Sequence, residues 1–494
     1  MSFLIDSLIF VCVVFMILRF RRKTSFRRLP PGPKPLPVIG NLHLLGDKPH
    51  VSTAKLSEKY GPLMTLQLGQ VTTVIVSSSD MAKEILQTHD RVCSGRSIPD
   101  AMTVHDHSKH GMTWHDVSNK WRNLRKIGNN YIFTTVKLEA RQDLRRKKVD
   151  ELLQEVGNCC REGKSVDIAQ AAFRTTLNLL SNTFFSVDLA DTSSENAREF
   201  KDAVKSIMEV VAKPNLSDHF PILRFLDPQG IRRETGVLCQ KLLDIFDGIL
   251  DERLRSRKES DRRDKNSDVL DTLLDIAEDK NMDLDLAGIR HLFLELFTAG
   301  NDTTSSTLEW AMTELLRNPK AMSRARDELR ENIGVGNTVE ESDTSRLPYL
   351  QAIIKETFRL HPPPFLIPRK SGSDVEINGF VIPKDSKILI NAWAIGRDPK
   401  IWENPESFIP ERFLESDIDV RGSSFRLIPF GGGRRICPGL PLASRMLHLM
   451  LGSLIHSFEW AVEDDDCLGV EEVFGLTVHK ARGLRALPIR GVVG

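Results

Sequence analysis

The chain has almost no charge imbalance: 68 Lys and Arg against 67 Asp and Glu leave a net charge of +1 over 494 residues. That balance offers no basic footprint, so no nucleic-acid partner is expected. A cysteine framework is also missing. The seven cysteines are scattered, odd in number and without a C-x-x-C pair. A disulfide scaffold or a cysteine-rich zinc site is therefore excluded, and a reducing compartment fits. There is no internal repeat and no clean linker after residue 50, which points to one large domain. Long apolar runs are absent except at the start, where Phe3 to Leu18 is interrupted only by Asp6 and Ser7. Arg19, Arg21, Arg22, Lys23, Arg27 and Arg28 follow it. A cleaved signal peptide would carry its charge ahead of the apolar run and end in small residues. Residues 1–20 thus read as an uncleaved transmembrane anchor, with the body on the cytosolic side by the positive-inside rule. Residues 21–40 read as a basic, proline-rich hinge, stiffened by the closely spaced prolines of Leu29–Pro37. Residues 41–494 form the domain proper.

Two kinds of periodicity alternate along that domain. Residues 62–77 and 374–393 alternate and are rich in β-branched side chains, so each reads as a hairpin; Asn378-Gly379 supplies a tight turn for the second. Amphipathic helical pattern fills roughly 137–160, 165–185, 196–213 and 233–256, and a long helical stretch runs over 286–316. The charged run 253–268 has no periodicity and reads as a solvated loop. The fold class is mainly α with a smaller β-rich lobe.

The most informative segment is Phe430-Gly431-Gly432-Gly433-Arg434-Arg435-Ile436-Cys437-Pro438-Gly439. Glycines let a loop approach a flat cofactor closely, and backbone N–H groups aimed at the sulfur stabilise a thiolate. Arg435 can pair with a carboxylate on the cofactor's rim. The apolar residues after Gly439 predict a helix whose positive end lies against the sulfur. A haem iron held by cysteine uses such a device.

Four other segments stand out. Ala299-Gly300-Asn301-Asp302-Thr303-Thr304 interrupts the long helical stretch with a glycine, an acid and alcohols. That predicts a locally loosened helix able to deliver water and protons. Glu356 and Arg359, at i and i+3, share a helix face. Pro410-Glu411-Arg412-Phe413 carries another arginine. Trp121 and Arg125 lie four apart on one helical face. Each of the last three is, alone, as consistent with packing or a surface pair as with ligand binding.

In this order and spacing, the segments resemble cytochrome P-450, specifically the membrane-anchored plant type, over essentially the whole chain. The resemblance implies a P-450 fold in one large domain, with Cys437 as axial ligand of haem b iron. It implies that Trp121, Arg125 and Arg435 hold the haem carboxylates, with Phe430 and Gly439 also against the cofactor. Glu356, Arg359 and Arg412 would form a structural triad fixing the cysteine loop, and Asp302 and Thr303 would serve dioxygen activation. It further implies a monooxygenase of the endoplasmic reticulum membrane, monomeric in its catalytic unit, using O2 and electrons from NADPH passed on by NADPH–cytochrome P-450 reductase. A haem-storage protein and a haem-thiolate isomerase or dehydratase working without reductase are the rivals.

Residues 35–46, Leu177–Asn182 and Asn391–Asp398 are similar to the group containing geraniol 8-hydroxylase and abietane diterpenoid hydroxylases. The resemblance therefore implies a small hydrophobic terpenoid substrate, a phenolic or alkaloid substrate being the alternative. It places pocket residues at Phe293, Phe297, Ala299, Phe365, Leu366, Ile367, Phe474 and Leu476. Residues 99–117 depart from the group by carrying His105, His107, His110 and His115. They read as a mobile solvated loop, or as a loop from which His105 or His107 reaches an oxygen on an already oxygenated substrate.

Overall fold

The computed structural model describes residues 28–190, 195–259, 268–279 and 282–490. The expected anchor lies outside the described residues, as does the start of the hinge. Among the described residues no helix is long and apolar enough to cross a membrane.

The elements that shape the interior are, in chain order, strands β1 (Leu63–Leu68) and β2 (Val71–Val76), and helices α1 (Asn119–Ile127), α2 (Ile168–Phe185), α3 (Leu286–Arg317) and α4 (Pro348–Leu360). Strands β3 (Leu366–Lys370) and β4 (Lys387–Asn391) and helix α5 (Leu440–Ser457) complete them. Helix α3 is buried along most of its length and packs against α2, α4 and α5 and against helix Ile231–Glu259. It begins where the Asp285 carboxylate accepts the Gly288 N–H at 2.7 Å, and it stops before Pro319, which cannot continue it. Its polar middle survives burial because Thr303, Thr304, Ser305 and Thr307 each donate to the carbonyl four residues back. The helix is continuous through this stretch, so the expected loosening is not seen.

The main sheet has the order β1–β2–β4–β3, with β2 and β4 parallel and the other pairs antiparallel. The hairpin expected over 374–393 is shorter than predicted. Val375–Ile377 pairs with Phe380–Ile382 across Asn378 and Gly379, both at positive φ. The chain then leaves to form β4, whose Ile388 and Ile390 are buried in the core of the sheet lobe. Burial of those two side chains outweighs continuation of the hairpin. The charged run is also reassigned: helix Ile231–Glu259 extends into it. Arg253 binds Asp268 and Asp271, and Arg257 binds Asp271 and Asp275. Part of the proline segment lies along β1, where Thr65 N–H donates to the Pro31 carbonyl and Gly40 bridges to Leu68. A Cβ on Gly32 would stand 2.0 Å from the Thr65 oxygen, so the contact requires glycine.

An aromatic cluster fills the space between α2, α3 and helix Ile231–Glu259. Phe185 lies 4.7 Å from Phe293 and Phe200 lies 5.1 Å from Phe297, centroid to centroid. Phe293 and Phe297 were expected to line a pocket. They face this core instead, because positions 293 and 297 share one side of α3 while 296, 299, 300 and 303 share another.

Candidate active site

A cavity of about 350 Å³ lies between α3 and the cysteine loop. Its floor is set by backbone geometry. Cys437 N–H donates to the Phe430 carbonyl at 3.0 Å, closing the loop. Gly433, at φ 66°, turns the chain where an added Cβ would meet the Leu86 carbonyl oxygen at 2.1 Å. The Cys437 sulfur opens into the cavity and is otherwise surrounded by protein. Burial raises its pKa; the N–H groups of Gly439 and Leu440 and the charge of Arg125 act against that rise. Helix α5 begins directly at Leu440, so its N-terminus faces the thiol as its sequence suggested.

Four arginines border the cavity: Arg96, Arg125, Arg369 and Arg435. Arg125 donates to the Ile436 carbonyl, and Arg435 donates to the carbonyls of Ser94 and His115. The Arg435 guanidinium lies 5.1 Å from the Trp121 ring centroid, and the Trp121 indole N–H donates to the Met112 carbonyl at 3.1 Å. Arg369 donates to Pro368 and Gly432 carbonyls. Arg96 Nε has no partner among the described residues. Burial brings Arg369 and Arg435 down to about 10 and lowers Arg96 strongly. Glu295 is the one carboxylate in the described lining. A buried cluster of this sign is costly unless an anion joins it. The residues present fit a flat cofactor with acidic groups on its rim and a metal that accepts a thiolate.

Sequence reading missed Arg96, Arg369 and Glu295. Arg369 had a signal: it occupies an inward position of β3, where an arginine is out of place without a ligand. Glu295 had one too, as a lone acid in the apolar run Leu292–Phe297. Arg96 had no local signal; it is positioned by the bridge between Gly95 and Lys370.

Opposite the sulfur, Ala299, Gly300, Thr303 and Thr304 of α3 line the cavity. Asp302 is on another side of the helix, its Oδ2 3.2 Å from His479 Nε2. His479 is part exposed, and the Asp302 carboxylate raises its pKa against the effect of burial. The acid is thus linked toward solvent rather than to the cavity.

Behind the loop, Glu356 and Arg359 are fully buried. Arg359 Nε and Nη2 donate to the Glu356 carboxylate at 2.7 and 2.8 Å, and Arg412 Nε donates to it at 3.1 Å. The other Arg359 donors go to the carbonyls of Gly396, Pro405 and Ser407. Phe358, next to this group on α4, meets Phe430 edge-on at 5.2 Å, which joins the network to the cysteine loop. Phe430 and Gly439 both border the cavity.

Several expected pocket residues are elsewhere. Of the eight apolar positions, Ala299 and Ile367 line the cavity. Phe365 is stacked on His50 at 4.4 Å, with Phe474 stacked on Phe365 at 5.4 Å, so both rings are committed to packing. Leu366 is outside the lining and Leu476 is substantially exposed. His105 is exposed and bonds the Gly236 carbonyl at 2.8 Å, away from the cavity. His107 is buried behind Glu295, its Nδ1 3.1 Å from His291 Nδ1. The solvated-loop reading of 99–117 is therefore corrected: Asp100–Asp106 and His107–His110 are short helical turns, and His110 stacks on His291.

The family model described as cytochrome P-450 matches residues 30–483. Geraniol 8-hydroxylase of Swertia mussotii is 52% identical over 483 residues, covering 97% of this chain and 97% of that protein. Ferruginol synthase of Salvia miltiorrhiza is 47% identical over 490 residues, covering 98% of each. A solved structure of a zebra fish cytochrome P-450 with abiraterone superposes with a TM-score of 0.75 at 26% identity, covering 90% of this chain and 100% of that one.

Proposed function

This chain belongs to the cytochrome P-450 family, and from that premise we propose that it hydroxylates a terpenoid, with Cys437 as the haem ligand. It is a monooxygenase that uses haem iron and O2, with electrons from NADPH supplied through a reductase, and its substrate is hydrophobic. The observation that carries the site assignment is the single thiol at the floor of an arginine-bordered cavity. Arg96, Arg125, Arg369 and Arg435 would receive the haem carboxylates, with the Trp121 ring packed against the Arg435 guanidinium. Bound haem supplies the reductive activation of dioxygen and the attack on a C–H bond.

The protein's own residues then do three things. Glu356, Arg359 and Arg412 fix the backbone that leads through Phe430 to Cys437. Leu179, Leu180, Phe184 and Leu296 give the cavity its apolar wall, which suits a hydrocarbon body. Thr303 presents a hydroxyl at the cavity, while Asp302 holds a proton-exchanging partner, His479, at the solvent side. The terpenoid reading is supported by relatives named for geraniol and ferruginol chemistry. Candidate substrates are monoterpenols such as geraniol and oxygenated abietane-type diterpenoids. Anchoring in the endoplasmic reticulum membrane through residues 1–20, a hinge over 21–40, a catalytic domain over 41–494 facing the cytosol, and a monomeric catalytic unit belong to the same proposal.

The test is a microsomal assay with reductase against monoterpenols, abietane diterpenes, simple phenolics and alkaloids, products being identified by mass spectrometry. NADPH-dependent hydroxylation of at least one is expected. Turnover confined to phenolic or alkaloid substrates would overturn the terpenoid reading.

A further inference from the structure

Glu295 has no role in the account above, although its carboxylate is the one acid bordering the cavity. It sits one helical turn before Ala299 and two before Thr303, on the side of α3 that faces the cavity. The side chain is held rigidly. Oε2 accepts the Met112 N–H at 2.7 Å and Oε1 accepts the Thr113 N–H at 2.8 Å. His107 Nε2 lies 3.7 Å from Oε1, and His107 is itself braced by His291. Each carboxylate oxygen has a second lone pair, so the group can still accept from a ligand. Leu296, Ala299 and Leu180 give the same lining an apolar part, while Arg96 and Arg435 act on the carboxylate from the cofactor side.

From this placement we infer that Glu295 is the polar anchor of the substrate pocket and accepts a hydrogen bond from a hydroxyl on the substrate. The inference rests on the terpenoid-hydroxylase reading and narrows it to an alcohol. A cationic amine is disfavoured, because Arg96 and Arg435 lie close enough to act on the Glu295 charge. An apolar pocket with one fixed acceptor selects for a hydroxyl, since a ligand lacking it leaves the buried acceptor unpaired. Burial raises the carboxyl to about 7, so near neutral pH it has both protonated and ionised forms, and either can take up an O–H.

The experiment compares affinities by the substrate-induced change in the haem absorption spectrum, using haem-loaded wild type, Glu295→Leu and Glu295→Gln. Two ligand pairs are titrated: geraniol against 2,6-dimethyl-2,6-octadiene, and 1-dodecanol against dodecane. Glu295→Leu is expected to weaken alcohol binding about 3- to 10-fold, with little change for the hydrocarbons. Glu295→Gln, which keeps an acceptor oxygen, restores most of the preference. An equal loss for alcohol and hydrocarbon, or an unchanged ratio in both variants, overturns the anchor and leaves Glu295 as a staple for Met112 and Thr113. If the preference appears with dodecanol alone, the anchor stands and the terpenoid reading fails. If misfolding prevents haem loading of Glu295→Leu, the Gln variant and Glu295→Ala carry the same comparison.

Discussion

Behind the cavity, Arg359 spends all five of its N–H donors on the Glu356 carboxylate and three backbone carbonyls, and the pair is sealed from solvent. In front, along α3, the situation is reversed. Arg96 Nε, at the cavity, is unpaired among the described residues, Glu295 is raised by burial to about 7, and Asn301, on α3 but outside the cavity lining, is buried with both amide atoms unpartnered. The rear region is finished without a ligand; the front region is not. Complete satisfaction makes a rigid platform for a cysteine loop, whereas unsatisfied polar groups mark where cofactor, water and substrate belong.

Breaking the rear should therefore cost the most. Glu356→Ala strands the buried Arg359 guanidinium and takes a partner from the part-exposed Arg412, and should lower stability by about 3–5 kcal/mol, read by denaturant unfolding and by loss of bound haem. A variant that retained wild-type stability and haem would show that the network is dispensable. Phe297→Ala, in the aromatic core, should cost a similar ~3–5 kcal/mol but leave the order of substrate preference unchanged, since the ring faces away from the cavity.

In the front region the expected losses are functional. Thr303→Ala and His479→Gln should each reduce product formed per NADPH consumed, on the order of 10²-fold at most. His479→Gln, whose amide can still donate to the buried Asp302 carboxylate, should change stability by about 1 kcal/mol or less. Coupling unchanged in both would remove the proton-handling role from Thr303 and from the Asp302–His479 pair.

The Glu295 carboxyl gives the comparison a pH dependence. Its folded pKa of about 7 lies above the unfolded carboxylate value. Below the unfolded value both states are protonated and the group contributes nothing. As pH rises through the interval up to about 7, the unfolded chain ionises first and the folded state loses relative stability. Unfolding followed over that window should show this downward slope in wild type and a shallower one in Glu295→Gln. Equal slopes would mean that the buried acid is already compensated by a charged neighbour. His105→Phe is the smallest expected effect: within about 0.5 kcal/mol and without change in substrate choice, because the ring bonds only Gly236 at the surface.

How much was legible in the sequence follows the same division. The cysteine loop and the Glu356–Arg359 spacing are local: backbone turns that demand glycine at 431 and 433, and a contact at i+3, leave marks in a single stretch of chain, whereas Trp121 and Arg125 share a helix and find their partners elsewhere, on Arg435 and Ile436. Arg412 was placed by family resemblance, and it does reach Glu356. The front of the cavity is assembled from residues far apart, so its marks are faint. Glu295 meets Met112 and Thr113 across 183 and 182 positions, and Asp302 meets His479 across 177. The pocket assignments failed where helix phase or stacking decided the outcome, as for Phe293, Phe297 and Phe365. The His-rich segment misled because exposure was inferred from polarity, while His107, His110 and His291 pack on one another.

The central claim is that Cys437 binds haem iron as a thiolate. The carbon monoxide difference spectrum of the reduced protein tests it most directly. The account predicts the long-wavelength Soret band of a thiolate-ligated haem in wild type and its loss in Cys437→Ser. A wild-type protein that binds no haem, or a Cys437→Ser protein that keeps the band, would contradict it.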